Sequence, residues 1–132
     1  MIGVDTSVLV RYLVGTPSSQ ARQAADLIDN DAEVIAVSPV ALAECAHVLR
    51  TIYDVEQGDI IDSLIGLVQR ENVRVLGLRV DLLVEMLVRA RRLPGRPIPD
   101  AMIIAAAVAA DALPLATFDR DQRRYGIPVR AL

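Results

Sequence analysis

The sequence contains no lysine: all 14 basic residues are arginine. That excludes a phosphate-loop lysine, a Schiff-base lysine and the lysine of a receiver-type phosphoacceptor site. Cys45 is the only cysteine, which rules out an intramolecular disulfide and a thiolate metal cluster and suits a reducing compartment. Its expected role is a small core residue. Tryptophan is absent and aromatics make up 3%, so the core must come from the Val, Leu, Ile and Ala that dominate the 53% hydrophobic content. Long apolar runs are missing too. The longest uncharged one, Ala101 to Ala110, is about half of what a membrane span needs, and Asp5 interrupts the hydrophobic start. The expectation is a soluble, cytoplasmic protein without a leader or a membrane association.

With 132 residues, the chain has the length of one domain spanning 1–132. Its net charge is −3, which is unfavourable for a nucleic-acid binder unless some acids have another task. Setting four of them aside leaves the remainder at +1 and permits an anionic substrate.

Apolar periodicity alternates between strand-like and helix-like segments. Met1–Val4 reads as a strand, followed by a helix closed at Gly15-Thr16-Pro17, and Ser18 or Ser19 can cap a second helix through Ile28. Val34–Val37 is the next strand, with Ser38 as N-cap and Pro39 opening a third helix to about Tyr53. An amphipathic helix over Glu56–Arg70 leads to a strand at Val73–Leu76, and a helix through Ala90 ends near Leu93-Pro94-Gly95. A last helix begins near Asp100, Leu115–Thr117 is a strand, Asp119–Tyr125 a polar turn or short helix, and Pro128–Leu132 an edge strand. Strands alternating with helices predict a three-layer α/β/α fold around a central, mostly parallel sheet.

Four carboxylates stand out on this frame: Asp5, Glu44, Asp100 and Asp119. Asp5 and Asp119 each follow a predicted strand, and the carboxyl ends of parallel strands are where ligands bind. Each acid also has a bland explanation. Asp5 can be a helix cap, Glu44 an exposed acid at the edge of a helix's apolar arc centred near Cys45, Val48, Leu49 and Ile52, Asp100 a first-turn acid favoured by the helix dipole, and Asp119 an Asx-turn. Their combination is the stronger signal. Carboxylates gathered in one crevice repel one another, and a fold keeps them only around something positive. Without lysine or paired histidines that is most simply Mg²⁺ or Mn²⁺, whose chemistry suits phosphodiester hydrolysis by an activated water.

In order, Asp5-Thr6-Ser7, Glu44 within Pro39-Val-Ala-Leu-Ala-Glu44, Asp100-Ala-Met-Ile-Ile-Ala-Ala-Ala, and Leu115-Ala-Thr117-Phe118-Asp119-Arg-Asp121 resemble the PIN-domain ribonucleases, specifically the VapC toxins of type II toxin–antitoxin modules. The resemblance covers the whole chain. It implies a Mg²⁺- or Mn²⁺-dependent endoribonuclease, a homodimer, and inhibition by a small antitoxin protein. By position, Asp5, Glu44, Asp100 and Asp119 match the family's acids, with Asp5, Asp100 and Asp119 as metal ligands, and Thr6, Ser7 and Thr117 as supporting residues. Asp121 can share or replace the role of Asp119. Ser7 departs from the Asn many relatives carry there, and Pro99 stands where an apolar residue is frequent.

Arginines flank the acids along the chain, and Arg92, Arg96, Arg120 and Arg123 are candidates for gripping RNA phosphates. His47, one turn from Glu44, invites a general-base role, although a lone histidine is more often a surface residue. The apolar first helix and the Ile60 to Val68 stripe predict surface to spare for a dimer. Two rivals remain: a non-catalytic PIN-fold module binding RNA or protein, and a haloacid-dehalogenase-like phosphatase. The second needs an acid where Ser7 stands and a lysine the chain lacks.

Overall fold

Short β-branched runs become strands of three residues, and the longer periodic runs become helices. The computed structural model describes all residues 1–132, in the order β1 (Ile2–Val4), α1 (Thr6–Val14), α2 (Ser18–Ile28), β2 (Ile35–Val37), α3 (Pro39–Thr51), α4 (Gln57–Val68), β3 (Val73–Val75), α5 (Val80–Ala90), α6 (Pro97–Ala109), β4 (Leu115–Thr117), a 3-10 helix (Arg120–Tyr125) and β5 (Val129–Ala131). Two compact units divide the chain, Met1–Gly77 and Leu78–Leu132. All strand pairings are parallel, in a β1-β2-β3 ladder in the first unit and a β4-β5 ladder in the second.

In the first unit β2 is the middle strand, in register with β1 at Ile2↔Ile35 and with β3 at Ile35↔Val73. All three of its residues are buried, as a strand paired on both sides requires. Two helices fill each crossover, and their inward faces supply the core: Leu9, Ile28, Leu42, Ile60, Ile61 and Leu64 are fully buried. Cys45 lies among these core residues, and burial pushes its thiol up to about 12, so it is the inert packing residue expected of it. Asn72, just before β3, is buried and donates its Nδ2 to the carbonyls of Ile28 (2.8 Å), Glu33 (3.1 Å) and Asn30 (3.4 Å). One amide thus ties the end of α2 to the turn into β2, adding to the bonds that Arg70 donates to the Ile28 carbonyl and the Glu33 amide to that of Asn30.

In the second unit α5 packs on α6, with Leu83, Met86 and Leu87 buried on the first and Ile98, Ala101 and Ala105 on the second. Parallel pairing of β4 with β5 runs from Leu115↔Val129 to Thr117↔Ala131.

Several sequence expectations need correction. Ser18 and Ser19 lie inside α2, whose N-cap is Pro17 with no side-chain cap bond; the ring already holds φ at −63° in the extended cap geometry. The last long helix starts at Pro97, earlier than Asp100, because both prolines fall in its first turn where no intrahelical N–H is needed. On α3 the buried face is Ala41, Leu42, Cys45, Ala46 and Leu49, whereas Ile52 is 72% exposed, so the apolar arc is rotated from its predicted centre. The Ile60 to Val68 stripe is interior: Ile60, Ile61, Leu64 and Val68 are buried and offer nothing to a second subunit. Exposed apolar residues include Val40 (74%) on α3, Ile52 at its C-cap and Phe118 (85%). No helix is long and apolar enough to cross a membrane.

Candidate active site

The first unit carries Asp5 and Glu44. Where β1 ends, the chain turns into α1 with Asp5 as N-cap in extended backbone, φ −96° and ψ −179°. Its Oδ1 accepts from Ser7 Oγ at 2.6 Å and from the Val8 amide at 3.3 Å. The Ser7 hydroxyl first, and then the Val8 amide, favour the ionised carboxylate and hold it below its ordinary range. The cap explanation of Asp5 is therefore correct, and it leaves an exposed, ionised carboxylate at a strand end. Glu44 is exposed on α3 and lines a cleft of about 300 Å³ together with Thr6, Ser7, Arg11 and Tyr53. His47 is exposed and not among the residues lining that cleft.

Arg11 was not visible as a site residue in the sequence. Its Nε donates to Gln20 Oε1 at 2.7 Å and its Nη1 to the Tyr53 hydroxyl at 3.0 Å. The available signal was its position, six residues and so nearly two helical turns beyond Asp5; as a basic residue in the last turn of α1 it passes for a dipole partner.

Asp100, Asp119 and Asp121 line one pocket of about 140 Å³ in the second unit, with Arg96, Arg124 and Tyr125. Asp100 stands half-buried in the first turn of α6. Asp119 follows β4 and caps the 3-10 helix, its Oδ1 accepting from the Asp121 amide at 2.9 Å, while its own amide donates to Thr117 Oγ1 at 2.9 Å. The Asx-turn reading of Asp119 holds, and Thr117 fixes the backbone that aims it. Asp121 differs, because Arg124 Nε lies 3.5 Å from its Oδ1. Of the predicted phosphate-gripping arginines only Arg96 lines this pocket; Arg92, Arg120 and Arg123 are exposed and do not.

Tyr125 is the second residue that sequence reasoning missed. It is 2% exposed and donates its hydroxyl to the Pro97 carbonyl at 2.7 Å, while Arg89 Nη1 donates to the Tyr125 carbonyl. Burial, and then the charge of Asp100, push its phenol far above the ordinary value, so it stays a neutral donor. Through this bond the 3-10 helix that follows Asp119 is fastened to the turn of α6 that carries Asp100. A large amphipathic side chain closing the otherwise polar run Arg120-Asp-Gln-Arg-Arg was the only hint.

Both sets offer hard oxygen donors and neither offers nitrogen or sulfur, the chemistry Mg²⁺ and Mn²⁺ prefer. Within neither unit do three His, Cys, Asp or Glu side chains come close enough to share one ion. A family model described as the PIN domain matches residues 2–128, a span that includes every acid named above. No curated protein and no solved structure gives a significant match.

Proposed function

The chain belongs to the PIN-domain family, and from that premise we propose that it is a Mg²⁺- or Mn²⁺-dependent endoribonuclease, the toxin of a toxin–antitoxin module. PIN domains are α/β proteins and typically metal-dependent nucleases, and helices interleaved with parallel strands are consistent with the three-layer arrangement expected. The observation that carries the finer reading is the availability of the acids. In a chain with 14 arginines, Glu44 makes no ion pair, and neither Asp100 nor Asp119 makes one within its own unit.

On this reading Asp5, Asp100 and Asp119 are the metal ligands and Glu44 is the fourth catalytic acid. Bound there, the ion would lower the pKa of an attacking water and offset charge on the phosphodiester. The chain's own residues prepare that event. Ser7 keeps Asp5 ionised, Thr117 fixes the Asp119 backbone, and Tyr125 sets the first turn of α6. Arg96, beside Asp100, supplies a guanidinium for a substrate phosphate. Asp119 is favoured over Asp121 as the fourth acid because Asp121 is engaged by Arg124.

Asp5→Asn and Asp100→Asn should each abolish RNA cleavage while circular dichroism stays unchanged, and EDTA should do the same to the parent protein. Cleavage that survives either substitution overturns the mechanism. RNA binding with no cleavage by the parent protein would favour the non-catalytic module instead.

A further inference from the structure

We propose that Arg11 is a phosphate-binding residue for the RNA backbone, presented between the Glu44 cleft and a second groove that receives the adjoining nucleotide. The proposal rests on the nuclease reading and extends it to the path of the substrate. Ser7 and Arg11 line both the Glu44 cleft and a larger groove of about 550 Å³ between α1 and α2, where Gln20, Gln23 and Leu27 also stand. The guanidinium therefore forms part of a wall common to the two.

Its bonding contrasts with that of two other half-buried arginines. Arg70 and Arg89 are likewise half-buried, but carboxylates neutralise them, Asp29 at 3.3 Å and Glu85 at 2.7 Å. Within its own unit, Arg11 donates only to neutral acceptors, the Gln20 amide oxygen and the Tyr53 hydroxyl. A guanidinium has five N–H donors in a rigid fork, so two bonds fix its plane and leave most of Nη1 and Nη2 unspent. Holding a partly desolvated cation still without an anion costs free energy, and a phosphate oxygen would offset that cost through charge-assisted, bidentate bonds. The groove beyond suits the rest of a nucleotide. Gln20 and Gln23 offer amides to base edges, and Val8, Ala24 and Leu27 offer an apolar floor. A purely structural Arg11, tying α1 to α2 and to the turn after α3, would explain the two bonds but not the lack of a carboxylate.

The test is anisotropy titration of the full chain with a labelled single-stranded oligoribonucleotide of mixed sequence, in EDTA, across a series of salt concentrations. Arg11→Gln should weaken binding roughly tenfold and lower the slope of log K against log salt by about 0.7, the value of one phosphate contact on a single strand. Arg11→Lys, which keeps the charge but not the fork, should keep the slope and lose part of the affinity. A loss of fold alone would lower the melting temperature without changing the slope. Should Arg11→Gln not fold, Tyr53→Phe decides, since it frees the guanidinium and should weaken binding with the slope kept. Unchanged affinity and slope in Arg11→Gln, or unchanged affinity in Tyr53→Phe, overturns the proposal, as does a parent protein that binds no RNA. Cleavage by the parent protein, measured separately in Mg²⁺, tells the two readings apart. Cutting without Arg11 dependence sinks this site alone, and Arg11-dependent binding without cutting sinks the nuclease reading alone.

Discussion

Ser7 shows how much one hydroxyl can do beside an exposed carboxylate. Its bond to Asp5 contributes only while that carboxylate is ionised. The contribution is therefore complete above the ordinary carboxylate range and is lost as pH falls through the depressed folded value. Ser7→Ala should raise the Asp5 titration midpoint toward 3.8, readable by carboxyl NMR in metal-free buffer; an unmoved midpoint would show that the Val8 amide alone sets it. Asn72 is the corresponding case for stability. Asn72→Ala removes a buried donor from three carbonyls and should cost about 2 kcal/mol in urea unfolding, with the slope of the transition unchanged. A loss under about 0.5 kcal/mol would mean that those carbonyls find other donors. Single acids were legible in the sequence because strand ends and helix starts are local signals. Arg11, Asn72 and Tyr125 were not, since their partners at Tyr53, Ile28 and Pro97 lie far along the chain.

Among the elements, α6 illustrates both what periodicity finds and what it misses. Its apolar body was evident, but its start was placed near Asp100, whereas the prolines at 97 and 99 belong to its first turn. That shift matters because it places Asp100 inside the helix, on the turn that Tyr125 grips through the Pro97 carbonyl. Tyr125→Phe should cost about 1 kcal/mol in stability. It should also lower the cleavage rate more than RNA affinity, measured by single-turnover kinetics against anisotropy. Equal loss in both would make Tyr125 a residue of the fold only. On α3 the error was one of phase. Val48 and Ile52 were counted with the buried arc by their hydrophobicity alone, and only the backbone rotation shows that Ile52 faces out.

At the scale of the whole molecule, the alternation of strands and helices was enough to read the α/β class, because parallel strands need helical crossovers of the length found here. Association was harder to read: the stripe expected to serve a dimer is core, and the exposed apolar residues include Val40 and Ile52, about one turn before and two turns after Glu44. We predict a homodimer that uses this face, with light scattering at micromolar concentration giving twice the chain mass and Ile52→Glu giving the monomer; a monomeric parent protein would refute it. The central claim, that the carboxylates exist to cut RNA with a divalent ion, is tested most directly by incubating the purified chain and its Asp100→Asn variant with RNA in Mg²⁺ and in EDTA. Cleavage is expected only from the parent protein in Mg²⁺, and cleavage by the variant or in EDTA would contradict that claim.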